Sequence, residues 1–341
     1  MVQLIFNAIR NFKINLPNVH VDALVKFLGV ISFTVPIYIL YLLYPESYDR
    51  TFKGRLYYIF FLWLTFLELA LRWKNIRVKA NKLLSARFIA FSTALTLPTL
   101  YVLVANFLGL NTIIVEISPK HYGLDSWAKF MPLAIEYLVF AMLSLLITAL
   151  AYGVEDLRVF SLPTALIGIV GLTFLIDNLY PYGEFTLFQV FVPTTANLAT
   201  MFLSFAGYQT EWIGQIYKTP VLKVWNERGE ASIGIAWPCS GIDSLVIYSV
   251  TIILFLEESN LSRKQKIVYF IIGAVVTYFV NILRIVSIFT IAIEYGVASL
   301  EVQRFHDYYG PLYSMTWIIM YQLIIVGSRV LWRKILSRTL S

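Results

Sequence analysis

Cysteine occurs once in 341 residues, at Cys239. A single thiol excludes an intramolecular disulfide and every CxxC-type zinc or redox motif. Charge is scarce too: Asp, Glu, Lys and Arg make up 14% of the chain, where a soluble globular domain carries roughly 25%. There is no internal repeat, no low-complexity tract, no cluster with metal-ligand spacing and no Gly-rich phosphate loop. Neither a cofactor nor a metal is therefore expected. The net charge of +7 is gathered in a few loops rather than spread over one face, so nucleic acid is not the expected partner.

What remains is apolar. The chain is 59% hydrophobic with a mean hydropathy of +0.72, the balance of a polytopic membrane protein. A spanning helix needs about 20 mostly apolar residues, and eight runs qualify: 23–44, 55–72, 88–109, 130–151, 159–179, 240–258, 267–292 and 310–332. The first starts near Ala23 and is as long as a full span, so it reads as a retained span rather than a cleaved signal. A ninth run, 185–205, contains Gln189, Thr194, Thr195 and Asn197 with Pro193 in its middle. From Leu198 its large apolar residues fall at Met201, Phe202 and Phe205, the spacing of one helical face, which suits a helix lying in the membrane interface.

Lys and Arg are enriched in cytoplasmic loops. Arg72, Lys74, Arg77, Lys79, Lys82 and Arg87 crowd the segment 72–87; Arg263, Lys264 and Lys266 lie in 259–266; Arg329, Arg333, Lys334 and Arg338 lie toward the C-terminus. With 185–205 at the surface, four crossings separate the first two segments and both face inward. The expectation is an all-α protein of about eight transmembrane helices, with both termini cytoplasmic and an outer interfacial helix. The largest outer segment is then 180–238. In "VLKVWNERGEASIGIAW", β-branched residues flank a polar stretch from Asn226 to Glu230, which predicts a short β-hairpin before the sixth span.

On this topology three chemical groups reach one depth. Cys239 opens the sixth span at its outer end. Arg284 lies 18 residues beyond Lys266 in the seventh, so about 27 Å up a core about 30 Å thick. His306 precedes the last span, which starts from outside. A thiol beside Arg or a protonated His has a lowered pKa and attacks carbonyl carbon. A cation at the same depth stabilises the oxyanion, and an imidazole moves the protons. Each group also has an ordinary role: packing for the cysteine, snorkelling for the arginine, solvation for the histidine.

Three motifs carry a resemblance: "PCSGIDS" around Cys239, "NILRI" around Arg284, and "HDYYG" from His306 to Gly310. In this order they resemble the exosortase/archaeosortase family of membrane transpeptidases, mainly over 180–332. The resemblance implies Cys239 as nucleophile and acyl-thioester carrier, Arg284 as the essential cation and His306 as general acid/base. Ser240, Gly241, Asp243, Asn281, Asp307 and Gly310 stand beside them within the motifs, and Asp177 is a further supporting candidate. The subgroup stays open: His306 is what bacterial members have at the third position, where many archaeosortases have Arg, while Asp243 stands where bacterial members commonly have a basic residue and resembles a thaumarchaeal-type archaeosortase. The implied organisation is helices 1–4 in 1–158, a catalytic core in 159–332 and a basic cytoplasmic tail in 333–341. The implied activity is cleavage of a C-terminal sorting signal (motif, transmembrane helix, basic tail) of surface proteins on the extracytoplasmic side. The acyl group then passes to a lipid or other cell-surface acceptor. A hydrolase with the same trio and a transporter using Glu68, Glu136 and Asp177 are the alternatives.

Overall fold

The computed structural model describes residues 21–339 apart from 52, 74–75, 81, 83–84, 120–126, 181–189, 217–218 and 258. Its helices are α1 Val21–Leu43, α2 Leu56–Arg72, α3 Ala86–Ala94, α4 Leu97–Phe107, α5 Leu110–Ile117, α6 Met131–Tyr152, α7 Ser161–Leu179, α8 Phe191–Phe205, α9 Ile242–Glu257, α10 Arg263–Tyr295, α11 Leu300–Arg304 and α12 Gly310–Thr339. Between α8 and α9 run β1 Gln209–Ile216, β2 Thr219–Asn226 and β3 Gly229–Gly234. Six helical segments are long and apolar enough to cross a membrane: Val21–Leu43, Ala86–Phe107, Trp127–Tyr152, Ser161–Leu179, Arg263–Tyr295 and Leu300–Ser328. Two shorter apolar helices, Leu56–Ala70 and Ser244–Glu257, occupy the other two expected positions.

Local chemistry sets the boundaries. A capping box starts α10, with Ser262 and Gln265 satisfying each other's backbone donors at the point where the free N–H groups of a helix need partners. The expected third span is divided after Ala94, and α4 restarts with Pro98 in its first turn, where a missing N–H costs nothing. On α10, Ile267, Ile271, Val275, Phe279 and Leu283 recur every four residues and are all exposed. Such an apolar stripe is unfavourable in water and suits lipid.

The segment between α7 and α9 extends the expected hairpin into a three-stranded sheet. The predicted hairpin exists: β2 and β3 pair antiparallel from Val221↔Gly234 to Asn226↔Gly229. A third strand, β1, pairs with β2 and carries a bulge between Trp212 and Gly214. The sequence reading missed β1 because it has no turn signal of the Asn-Glu-Arg-Gly kind on its far side. Residues 185–189 of the ninth run lie outside the described residues. Its remainder forms α8, which buries Val192, Thr195, Ala196, Ala199 and Leu203 while Met201 and Phe205 stay exposed. The small-residue face therefore packs inward, and the large apolar face singled out from the sequence is the outward one.

There are two apolar cores. One joins α1, α2, α6, α7, α9 and α12. The other joins α8, β2, β3, Trp237 and the later turns of α10, from Ile282 to Ile293. The 3₁₀ turn Trp237–Ser240, which carries the cysteine, sits against this second core.

Ion pairs mark both ends of the bundle. At one, Arg72 meets Glu257 at 2.9 Å and Lys79 meets Glu155 at 2.7 Å. At the other, the segment between α1 and α2 reaches the segments before α6, α9 and α12, as described next.

Candidate active site

Gly241 follows the 3₁₀ turn at φ +90°, a backbone conformation that suits glycine. A Cβ here would lie 2.9 Å from the Asn281 side-chain nitrogen. That nitrogen donates to the Cys239 carbonyl at 2.8 Å. Ser240 Oγ donates to the Trp237 carbonyl at 2.6 Å, and Thr195 Oγ1 donates to the Ser240 carbonyl at 3.1 Å. The turn that presents the thiol is thus held by hydrogen bonds from its own chain, from α8 and from α10. The side chain of Asp243 lies outside the described residues.

Cys239, Arg284 and His306, the three groups singled out from the sequence, line one cavity of about 390 Å³. Within it the His306 imidazole is the group that does most to lower the pKa of the Cys239 thiol. His306 Nδ1 is 2.8 Å from Asp307 Oδ1, which leaves Nε2 for the thiol. Arg284 Nη2 donates to the His306 carbonyl at 2.7 Å. It therefore holds the strand of chain that carries the imidazole as well as supplying charge. Enclosure pushes the Cys239 thiol up, but the positive charges of His306 and Arg284 more than offset it. The thiol ends below its ordinary pKa.

His306 and Asp307 lie in a single π-helical turn, Phe305–Tyr309, between α11 and α12. One-turn π segments occur frequently at functional sites. Gly310 then permits a close approach: a Cβ there would lie 2.3 Å from Arg284 Nε and 3.0 Å from the Phe305 carbonyl.

Asp177, a supporting candidate, does not line this cavity. It accepts from Trp237 Nε1 at 2.9 Å through Oδ1 and forms an ion pair with Lys53 at 2.9 Å through Oδ2. Lys53 also stands 3.1 Å from the centre of the Trp127 ring. Burial pushes its ammonium down to about 8, against the pull of the Asp177 carboxylate. Arg50, Thr51, Lys53, Trp127 and Phe130 complete the cavity, and Arg50 reaches Asp307 at 3.9 Å. These first-half residues were missed in the sequence reading, which treated residues 1–158 as apolar spans alone. One signal was available. Arg50, Lys53 and Arg55 put three cations on a face where the Lys/Arg asymmetry expects few.

The acids of the transporter alternative are engaged elsewhere. Glu136 is buried and takes both Arg55 nitrogens, at 2.8 and 2.9 Å. Asp177 is bound as above, and Glu68 is fully buried.

Neither a curated protein nor a solved structure matches the chain. A family model described as transmembrane exosortase matches residues 30–323, a stretch that includes all three cavity groups and both halves of the bundle. On that match, the chain belongs to the transmembrane exosortase family.

Proposed function

We propose that the protein is a membrane cysteine transpeptidase that cleaves a C-terminal sorting signal and transfers the new C-terminus to an acceptor. The observation that carries this reading is the convergence of Cys239, Arg284 and His306 on one cavity from three distant segments.

The Cys239 thiolate attacks the scissile carbonyl, and the oxyanion that forms faces the Arg284 guanidinium, a preorganised cation. Protonated His306 gives its proton to the leaving amine as the C–N bond breaks, leaving a thioester on Cys239. The acceptor's amine or hydroxyl then attacks the thioester. His306 takes its proton, and the thiolate leaves. Asp307 fixes the imidazole orientation throughout.

In the membrane, α2 and α9 cross alongside the six longer segments, giving eight spans with both termini cytoplasmic and the cavity extracytoplasmic. At 1.5 Å per residue α2 and α9 measure about 24–26 Å, and the 3₁₀ turns and bends at their ends supply the remaining depth. The positions of Lys and Arg support this orientation. A sorting signal of one span would present its cleavage point at the depth of Cys239.

The test is a Cys239→Ser variant with a reporter carrying such a signal. Shape is nearly kept, but the hydroxyl ionises far less readily, so processing should vanish while the protein accumulates normally. His306→Ala should instead slow resolution and build up an enzyme–reporter adduct that neutral hydroxylamine removes. Product mass separates transfer from hydrolysis, since only transfer adds the acceptor. Near-normal trimming by Cys239→Ser would overturn the proposal.

A further inference from the structure

Next to the catalytic cavity lies a larger chamber of about 760 Å³. The two share Arg50, Lys53 and Phe130. Among the described residues, four cations line the chamber (Arg50, Lys53, Arg55 and Lys129) against one acid, Glu46. Two of the four are committed: Arg55 to Glu136 and Lys53 to Asp177. The other two are not. Lys129 is exposed and has no acidic partner among the described residues. Arg50 meets Asp307 only at 3.9 Å, with its side chain half exposed.

The rest of the wall is mainly apolar, from Leu43 at the end of α1 to Val115 on α5 and Leu133 on α6, with Ser47, Asn111 and Thr112 as uncharged polar positions. A cationic floor with an apolar wall, at the loop end of a membrane bundle, is complementary to an anionic headgroup carried on an apolar body. The volume fits a small amphiphile. An Arg fork and a Lys point charge are the donors that hold phosphate oxygens.

We propose that this chamber is a binding site for a phosphate-bearing amphiphile, with Arg50 and Lys129 holding the phosphate group. The shared wall at Arg50 would place a nucleophile on the same headgroup beside Cys239. Only that last role, as acceptor subsite, rests on the transpeptidase reading; the binding does not.

The experiment uses full-length protein carrying Cys239→Ala, in neutral detergent, so that binding is read without turnover. Native mass spectrometry counts bound dioctanoyl phosphatidic acid against dioctanoylglycerol, which has the same acyl chains and no phosphate. The phosphatidic acid should bind at least tenfold more tightly. Arg50→Glu with Lys129→Glu should remove that preference, while Lys264→Glu at the far end should keep it. If the double reversal fails to fold, Arg50→Gln with Lys129→Gln reads the same preference more gently. Displacement of the lipid by millimolar inorganic phosphate assigns the site to soluble phosphate esters, and retention assigns it to a lipid headgroup. Equal binding of the two lipids, or an unchanged preference in both double variants, would overturn the proposal. Loss of processing by Cys239→Ser is read separately, so either conclusion can fail alone.

Discussion

Gly310→Ala makes the sharpest test of how the site is assembled. The added methyl would lie 2.3 Å from Arg284 Nε, 2.9 Å from Arg284 Cδ and 3.0 Å from the Phe305 carbonyl oxygen. Comfortable contact needs about 3.5 Å, so the guanidinium has to retreat by roughly 1 Å. It cannot do so independently, because Nη2 is bonded to the His306 carbonyl at 2.7 Å. A retreat either breaks that bond or drags the π turn and the imidazole with it. Misplacement of a catalytic group by about 1 Å costs on the order of 10²-fold in rate. Helix formation itself should be indifferent or slightly favoured, since alanine is the better helix former by about 1 kcal/mol and Gly310 has ordinary helical angles. The expected outcome is normal membrane accumulation with reporter processing reduced about a hundredfold. The assay is the initial rate of signal cleavage in reconstituted vesicles, with thermal unfolding in detergent as the folding control. Processing within threefold of wild type would refute the argument that Gly310 sets the position of Arg284.

Arg284→Lys keeps the charge but loses the planar fork, and loss of one oxyanion donor costs about 10²–10³ in rate, so initial cleavage rates should fall by that factor at equal protein level. Arg284 and His306 lower the Cys239 pKa, so wild-type thiol alkylation should reach half-maximum below the pH of about 8.5 typical of a free thiol. Removing the positive charge raises the thiol's pKa, so in Arg284→Gln the midpoint should move to higher pH, as followed by iodoacetamide labelling across pH 6–10. Lys53→Met leaves the buried Asp177 carboxylate without its ion-pair partner, and breaking a buried pair costs about 3–5 kcal/mol. Thermal stability should fall accordingly and recover in part when Asp177→Asn is added. With Cys239→Ala as background, an impermeant maleimide applied to intact cells should label a cysteine placed at Glu227 and spare one placed at Ser262.

The spans and the chemistry were legible in the sequence for different reasons. Apolar runs report on themselves, so the positions of α1, α2, α6, α7, α9, α10 and α12 follow from composition alone. Cys239, Arg284 and His306 were legible because a solitary thiol, a charge within an apolar run and a histidine beside a span are each conspicuous. Helical rise then put them at one depth. Lys53 and Asp177 were not legible as a pair: the 123 residues between them say nothing of whether α2 and α7 are neighbours, and helix adjacency is a matter of packing rather than pattern. Strand β1 was missed because its partner β2 satisfies its backbone, and pairing is not written in either strand. On α8 the face legible in the sequence was that of Met201 and Phe205, which stays exposed; the packed face gave no such signal. The face that packs is the small one, Ala196 and Ala199, where backbones approach closely.

The connection between α1 and α2 and the residues leading into α6 are therefore part of the wall of the candidate site. A chain of buried contacts runs from Lys53 through Asp177 to the Trp237 indole, and Trp237 opens the turn that presents Cys239. A second contact runs from Arg50 to Asp307, whose other oxygen orients His306. Cys239 and His306 thus each have one tie to the same twelve-residue connection between α1 and α2, residues 44–55. The two ties differ in strength. Lys53 and Asp177 are both about 5% exposed or less at 2.9 Å, whereas Arg50 is half exposed at 3.9 Å, where solvent and salt screen the interaction. Movement of this connection would alter the His306 side first and leave the Cys239 turn in place. A ligand that draws Arg50 into the neighbouring chamber would accordingly release Asp307 to bind His306 alone.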